Sequence, residues 1–226
     1  MSLTYDDGLD SHLDLAIPAL ESRGLRGTFY LTLENVRERV AEWQRAAARG
    51  HELANHTVTH PCDIDGNDWR SYARSQIDPM NRAIDIWEGI SASHDFAYPC
   101  DVTDLGPGSA NRQLRRFEAV LRSQHIVSAR TSEGPPNPPE WVKRYPFRLQ
   151  ALAAGFDAAT LQQLTSYIDR ARASNRWAIL VFHDIVPAHP AVDELLASVH
   201  DGVLDAIVAM KIRCCPVGEV MKDFGS

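Results

Sequence analysis

This chain has little sulfur chemistry to offer. Its four cysteines, Cys62, Cys100, Cys214 and Cys215, show no CxxC spacing. That argues against a cysteine-ligated zinc, and four thiols make no disulfide framework for a chain this long. Cys214 and Cys215 read as reduced residues beside a buried strand. No run of about 18 apolar residues exists to span a membrane. A basic-then-apolar leader is missing too, because Asp6 and Asp7 follow Met1 almost at once. The chain as given is therefore expected to be cytoplasmic, or a mature form whose leader is absent. Basic charge is scarce as well. The formal net charge is −7, and the densest basic cluster, Arg112, Arg115 and Arg116, reads as a solvated helix face. No nucleic-acid partner is expected.

What is present is an ordinary globular composition over 226 residues, enough for one well-cored domain spanning 1–226. Short apolar runs alternate with segments of helical period, the mark of repeated βα units. Residues 1–5 read as a strand and 11–23 as a helix closed by Gly24; 27–33 and 34–49 repeat the pair up to Gly50. An extended piece follows at 51–54. Residues 68–89 have helical period with a kink at Pro79. Strands are expected at 95–98 and 126–130, with a helix over 110–123 between them. The one loop-rich stretch is 134–139, Gly-Pro-Pro-Asn-Pro-Pro. Leu161, Leu164, Ile168 and Ala171 mark an amphipathic helix. Residues 177–182 form an apolar strand of the kind buried on both faces of a parallel sheet. Helical segments are expected around 191–199, with a last apolar stretch near 207–217. Six or seven strands with helices between them fit a barrel or a doubly wound sheet, and functional groups belong at strand ends in either.

His56-Thr57-Val58-Thr59-His60 stands out among those ends. On one helical turn, positions i and i+4 share a face, so both rings can reach one metal ion. The bare spacing also suits two core or solvated histidines. Tyr5-Asp6-Asp7-Gly8 ends the first strand; it is either a plain turn or a pair of carboxylates, one a metal ligand and one a base. His183 closes the run Ile179-Leu180-Val181-Phe182, well placed for acid catalysis. The other histidines, His12, His51, His94, His125, His189 and His200, read as surface or supporting residues.

In this order the segments resemble the polysaccharide deacetylases, family 4 of the carbohydrate esterases. Thr4-Tyr5-Asp6-Asp7-Gly8 looks like that family's first motif and His56–His60 matches its second. Phe96-Ala97-Tyr98-Pro99-Cys100 stands at the third, and Leu180-Val181-Phe182-His183 matches the fifth. The resemblance implies a distorted (β/α) barrel of about seven parallel strands. It implies one divalent metal, Zn2+ before Co2+, Ni2+ or Mn2+, held by Asp7, His56 and His60. Asp6 is then the general base and His183 the general acid. Leu180 would help form the acetyl pocket, and Tyr98 and the Cys100 N–H would lie on the oxyanion side. The implied activity is hydrolysis of acetyl groups from N- or O-acetylated sugars or oligosaccharides.

Two departures matter. Ala97 stands where the family has an arginine beside its base, so Arg130 or Arg148 is expected to substitute from another strand end. The fourth motif, an Asp-Trp element, is not cleanly present; Glu140-Trp141 is a stand-in, and Asp184 could partner His183 instead. Trp141, in its proline-rich setting, is the preferred sugar-facing aromatic over Trp69 and Trp87. Competing readings keep the metal site but change the substrate to a small non-sugar amide or ester, or make the chain a metal- or glycan-binding protein of low activity. Oligomeric state is left open.

Overall fold

The computed structural model describes residues 1–62, 69–89, 94–103, 110–156 and 159–225. Seven parallel strands lie at its centre: β1 (Ser2–Asp7), β2 (Thr28–Leu31), β3 (Glu52–Asn55), β4 (His94–Ala97), β5 (Ile126–Arg130), β6 (Leu152–Ala153) and β7 (Ile179–Phe182). Their order is β5-β4-β3-β2-β1-β7-β6. Parallel neighbours need crossover connections, and helices supply most of them.

The sheet is curled rather than flat. β1 and β5 stand four places apart, about 19 Å in a flat sheet, yet Arg130 at the end of β5 hydrogen-bonds Asp6 of β1. The ring is nearly closed by residues 149–153. Leu149 bridges to Arg130, with its N–H donating to the Ala129 carbonyl at 3.0 Å. Three residues on, β6 pairs with β7. The result is the distorted barrel expected of the sequence.

Strand alternation sorts side chains onto two faces. Leu3, Tyr5, Phe29, Leu31, Leu53, Leu180 and Phe182 share one core with Ile17, Leu20, Trp43, Ile84, Leu164 and Leu204 from the surrounding helices. Full burial of one such side chain contributes about 1.5–3 kcal/mol. The other face is unusually polar: Thr4, Asp6, Thr28, Tyr30, Asp95, Ser128 and Arg130 are all buried. A barrel interior rich in buried hydrogen-bonding groups needs them paired with one another, and that pairing builds the site.

Several boundaries differ from expectation. The helix expected over 34–49 is two, Leu33–Val36 and Val40–Ala48. Arg39 leaves helical geometry between them and reaches Asp10, Asp14 and Glu42. Pro79 sits in the first turn of the helix Asp78–Glu88, after a widened turn at Ala73–Ile77; the expected start at Asp68 lies outside the described residues. Residues 191–196 are not helical. Leu195–Leu196 pairs in parallel with Ile185–Val186, and the helix begins only at Ala197. The helix Leu161–Ala173 starts with a capping box, Thr160 and Gln163 exchanging backbone hydrogen bonds, a device that contributes about 1 kcal/mol. No helix among the described residues is long and apolar enough to cross a membrane.

One cysteine expectation is overturned. Cys62 and Cys100 form a disulfide across 38 residues, with Cα atoms 5.3 Å apart, while Cys214 and Cys215 are free. Such bonds are rare in reducing compartments, which runs against the cytoplasmic address expected above.

Candidate active site

The strand ends of β1, β3, β4, β6 and β7 surround a cavity of about 500 Å³. Asp6, Asp7, His56, His60, Tyr98, Cys100, Ala153, Phe156 and His183 are among the residues that line it. β1 delivers two consecutive carboxylates there. Asp6 faces the interior and is only 3% exposed, whereas Asp7 turns outward at φ 77°. Gly8 follows at φ 71°, and a Cβ at that position would come within 2.6 Å of the Val36 side chain. Both conformation and space thus require glycine after the pair.

His56 and His60 do meet, but not on a helical turn. Residues 56–60 form a loop in which Thr57 (φ 75°) and His60 (φ 51°) are left-handed. The His60 N–H donates to Thr57 Oγ1 at 3.0 Å, and Gln76 Oε1 accepts from the N–H groups of Val58 and Thr59. His56, 2% exposed, hydrogen-bonds the Ala97 carbonyl through Nδ1 at 2.9 Å. A carbonyl can only accept, so the proton sits on Nδ1 and the Nε2 lone pair points into the cavity. Burial lowers the pKa of His56 against the opposing pull of Asp6 and Asp7, which favours the neutral, ligating ring. His56 Nε2 lies 3.6 Å and His60 Nε2 3.7 Å from Asp7 Oδ1. These three donor atoms all fall within 4.8 Å of one another. Two imidazoles and a carboxylate with an open side are a donor set suited to a divalent cation.

Asp6 is paired with Arg130, which bonds its Oδ1 and stacks over the Tyr30 ring at 4.3 Å. Burial alone would keep the Asp6 carboxyl protonated. Arg130, with His56 and His183, outweighs it and holds the pKa at about 2. Arg130 is therefore the cation beside the Asp6 carboxyl, on the strand next to Ala97 and in register with it. Arg148 does not come near. Its Nε donates to Glu118 Oε1 at 2.6 Å.

His183 also lines the cavity, with the Phe156 ring 5.5 Å away, edge to face. Its Nδ1 is buried with no hydrogen-bond partner among the described residues. Asp184 does not supply one: its Oδ1 accepts from Ser11 Oγ at 2.5 Å and from the Ile185 N–H at 2.9 Å. The backbone of His183 is held instead by buried His12, whose Nε2 donates to the His183 carbonyl at 2.8 Å. His51, His94 and His200 are buried too, rather than on the surface.

Two further expected residues lie elsewhere. Leu180 is fully buried in the outward core and does not line the cavity. Trp141 donates from Nε1 to the Arg148 carbonyl at 2.8 Å and packs on Tyr145, away from the cavity. Tyr98 borders the cavity but spends its hydroxyl on the Phe147 carbonyl at 3.0 Å. The sequence reading missed Ala153 and Phe156, which follow from a strand of only two residues. It also missed Asp101, Ser132, Glu133 and Asp193 on the cavity wall.

Comparison with known proteins agrees with this architecture. Residues 1–104 match the family model described as polysaccharide deacetylase. A chitooligosaccharide deacetylase of Rhizobium leguminosarum bv. trifolii is 28% identical over 210 residues, covering 92% of this chain and 82% of that protein. Over its first 104 residues the chain is similar to that family, and over nearly its whole length to that curated deacetylase. Among solved structures it is similar to the family 4 carbohydrate esterase domain of a multidomain xylanase from the hindgut metagenome of Trinervitermes trinervoides. There the TM-score is 0.63 at 18% identity, over 99% of this chain and 90% of that one. A family 4 acetyl xylan esterase from Clostridium thermocellum, solved with a cobalt ion, gives a TM-score of 0.61 at 19% identity, over 98% and 89% of the two chains. At those identities the structures establish the fold.

Proposed function

We propose that residues 1–226 act as one catalytic unit, a metal-dependent hydrolase that removes acetyl groups from N- or O-acetylated sugars or oligosaccharides. The carrying observation is that Asp7, His56 and His60 offer three converging donor atoms in one cavity with an ionised Asp6 and with His183. Asp7 Oδ1, His56 Nε2 and His60 Nε2 would hold the cation. When bound, a divalent ion there supplies Lewis acidity for activating water and polarising an acyl oxygen. Zn2+ suits the donor set best, and Co2+, Ni2+ or Mn2+ would also be accepted.

The chain's own groups do the rest. Asp6, kept ionised by Arg130, takes the proton of the attacking water. The backbone N–H of Cys100 faces the oxygen of the acetyl carbonyl as it becomes an oxyanion. His183 hands a proton to the leaving nitrogen or oxygen. An amine leaving group needs that proton more than an alcohol does. A base at Asp6 and an acid at His183 in one cavity are groups that a protein that only bound glycans or metal would not require.

Acetate release tests the assignment on a panel of N-acetylated oligosaccharides, O-acetylated xylan fragments and small non-sugar amides and esters. Metal-loaded and chelated protein are compared, with elemental analysis of wild type, H56A and D7A. The expected result is about one metal per wild-type chain, loss of it in both variants, and acetate from the sugars. Full metal content in both variants would refute the ligand set. Release from the small amides or esters alone would reassign the substrate.

A further inference from the structure

The site is built from residues in unfavourable backbone conformations. Nine non-glycine residues among those described have positive φ, and five lie at this one end of the barrel: Asp7, Thr57, His60, Cys100 and Asp101. Such conformations persist only where the surroundings over-determine them. For Asp7 the surroundings are plain, since its carbonyl accepts from Thr32 Oγ1 at 2.9 Å and Asn35 Nδ2 at 3.0 Å. Asp101 is held by the Ser132 N–H and hydroxyl, both at 2.7 Å from its carboxylate.

His60 is the ligand with least to hold it. His56 is buried and hydrogen-bonded, but the His60 ring is partly exposed, and its Nδ1 faces Cys62 Sγ at 3.7 Å. Two residues beyond His60, Cys62 is bonded to Cys100. That bond joins the loop after β3, which presents a proposed metal ligand, to the turn after β4, which presents the proposed oxyanion donor. Both joined segments carry left-handed residues, and the disulfide is the only covalent link between them apart from the chain itself.

We propose that the Cys62–Cys100 disulfide is a positioning element of the deacetylase centre, fixing the Cys100 N–H relative to His60 and thereby setting the rate of the chemical step. The inference rests on the reading under Proposed function. Its reversal is a thiol–disulfide exchange with a small dithiol reductant. The dithiol gives two electrons and two protons; its own sulfurs close into a disulfide, and Cys62 and Cys100 become two thiols. The reduced chain keeps Asp6, Asp7, His56 and His183 in place, since none of them is hydrogen-bonded or ion-paired to either cysteine. It loses the fixed spacing between the two loops. Removing an oxyanion donor outright costs on the order of 100- to 1,000-fold in rate, so loosening one should cost about tenfold. Substrate binding, spread over the cavity, should change little.

The test measures kcat and KM for acetate release by zinc-loaded protein, oxidised, reduced by dithiothreitol and reoxidised, beside C62S, C100S and C62S/C100S. The C214S/C215S double variant controls for the free cysteines and should respond to reduction as wild type does. C62S and C100S each leave one thiol near His60, so the C62S/C100S double variant, which leaves none, separates loss of the tether from capture of zinc by the freed thiols, which lie close enough to His60 to share a cation with it. The expected result is about a tenfold fall in kcat with KM within twofold, in the reduced protein and in C62S, C100S and C62S/C100S. Reoxidation should restore wild type alone. Tm is read on the same samples, so that a variant that unfolds at the assay temperature is recognised and the reversible reduction of wild type decides. Equal kcat in oxidised and reduced wild type would overturn the positioning role and leave the deacetylase reading standing. No acetate from any sugar with oxidised, zinc-loaded wild type would overturn both.

Discussion

Asp6 and Asp95 are both buried carboxyls on the inner face of the barrel, 3% and 2% exposed, yet they are driven to opposite protonation states. Asp6, at the end of β1, meets Arg130, and the cation outweighs the burial. Asp95, at the other end of the interior, meets Glu52 and the Ser128 hydroxyl. Burial, reinforced by Glu52, pushes its pKa well above the usual carboxylate range, and Lys222 counters only in part. Glu52 in turn accepts from Thr28 Oγ1 at 2.6 Å and from the Gly218 N–H at 3.1 Å. One end of the interior therefore holds an ion pair and the other a carboxyl that burial and a neighbouring carboxylate push toward its protonated form. Burial is common to both, so the partner on the facing strand decides which carboxyl can serve as a base.

Removing that partner breaks the comparison and carries the largest expected effect. Arg130→Met leaves Asp6 buried without its cation, which should cost about 3–5 kcal/mol in stability. Acetate release should fall on the order of 100-fold or more near neutral pH, with the remaining activity shifted to higher pH. Urea unfolding and a pH–rate profile read the two effects. Wild-type activity in this variant would mean that Arg130 does not ionise the base.

The opposite end should respond with the opposite sign of pH dependence. The Asp6 pKa is depressed, so its stabilisation is full above the unfolded value of 3.8 and is lost as pH falls toward about 2. Asp95 is raised, as is Glu88, from 4.5 to about 7, by burial and then by Glu52. Their contribution is present below the unfolded carboxylate values and fades as pH rises through the folded ones. Asp95→Asn keeps an acceptor for Ser128 and removes the like charge. It should stabilise the chain by about 1–2 kcal/mol at pH 8, with little change near pH 4 and none in kcat. A variant less stable than wild type at pH 8 would mean that the Asp95 carboxylate is favourably paired there.

Much of this was legible in the sequence, and the gaps have physical causes. The strands β5 and β7 and the helix over 110–123 announce themselves by uninterrupted apolar or amphipathic period. Arg130 could be read as an inward residue because strand alternation places it with Ser128. The same alternation sends Leu180 outward with Phe182, so the sequence already held an argument against placing it in the pocket. Other features had no local signal. The i,i+4 spacing of His56 and His60 suggests a helix, and nothing in Thr57 or His60 announces a left-handed φ. The Cys62–Cys100 bond depends on β3 and β4 being neighbours, not on cysteine spacing. β6 is two residues long, too short for a period, which hid Ala153 within it and Phe156 after it.

The smallest expected effects separate Trp141, the aromatic preferred from the sequence for sugar contact, from Phe156, which the sequence did not single out. Phe156 is 54% exposed beside His183, whereas Trp141 is anchored through Nε1 to the Arg148 carbonyl. A flat apolar ring at the cavity mouth can stack on a sugar face, and a ring tied into a loop cannot. Phe156→Ala should raise KM for an acetylated oligosaccharide about three- to tenfold while leaving Tm nearly unchanged. Trp141→Phe should do the reverse: a loss of about 1 kcal/mol with the hydrogen bond, and KM as in wild type. A raised KM in the Trp141 variant with none in the Phe156 variant would move the sugar-binding wall out of the cavity and onto the proline-rich loop.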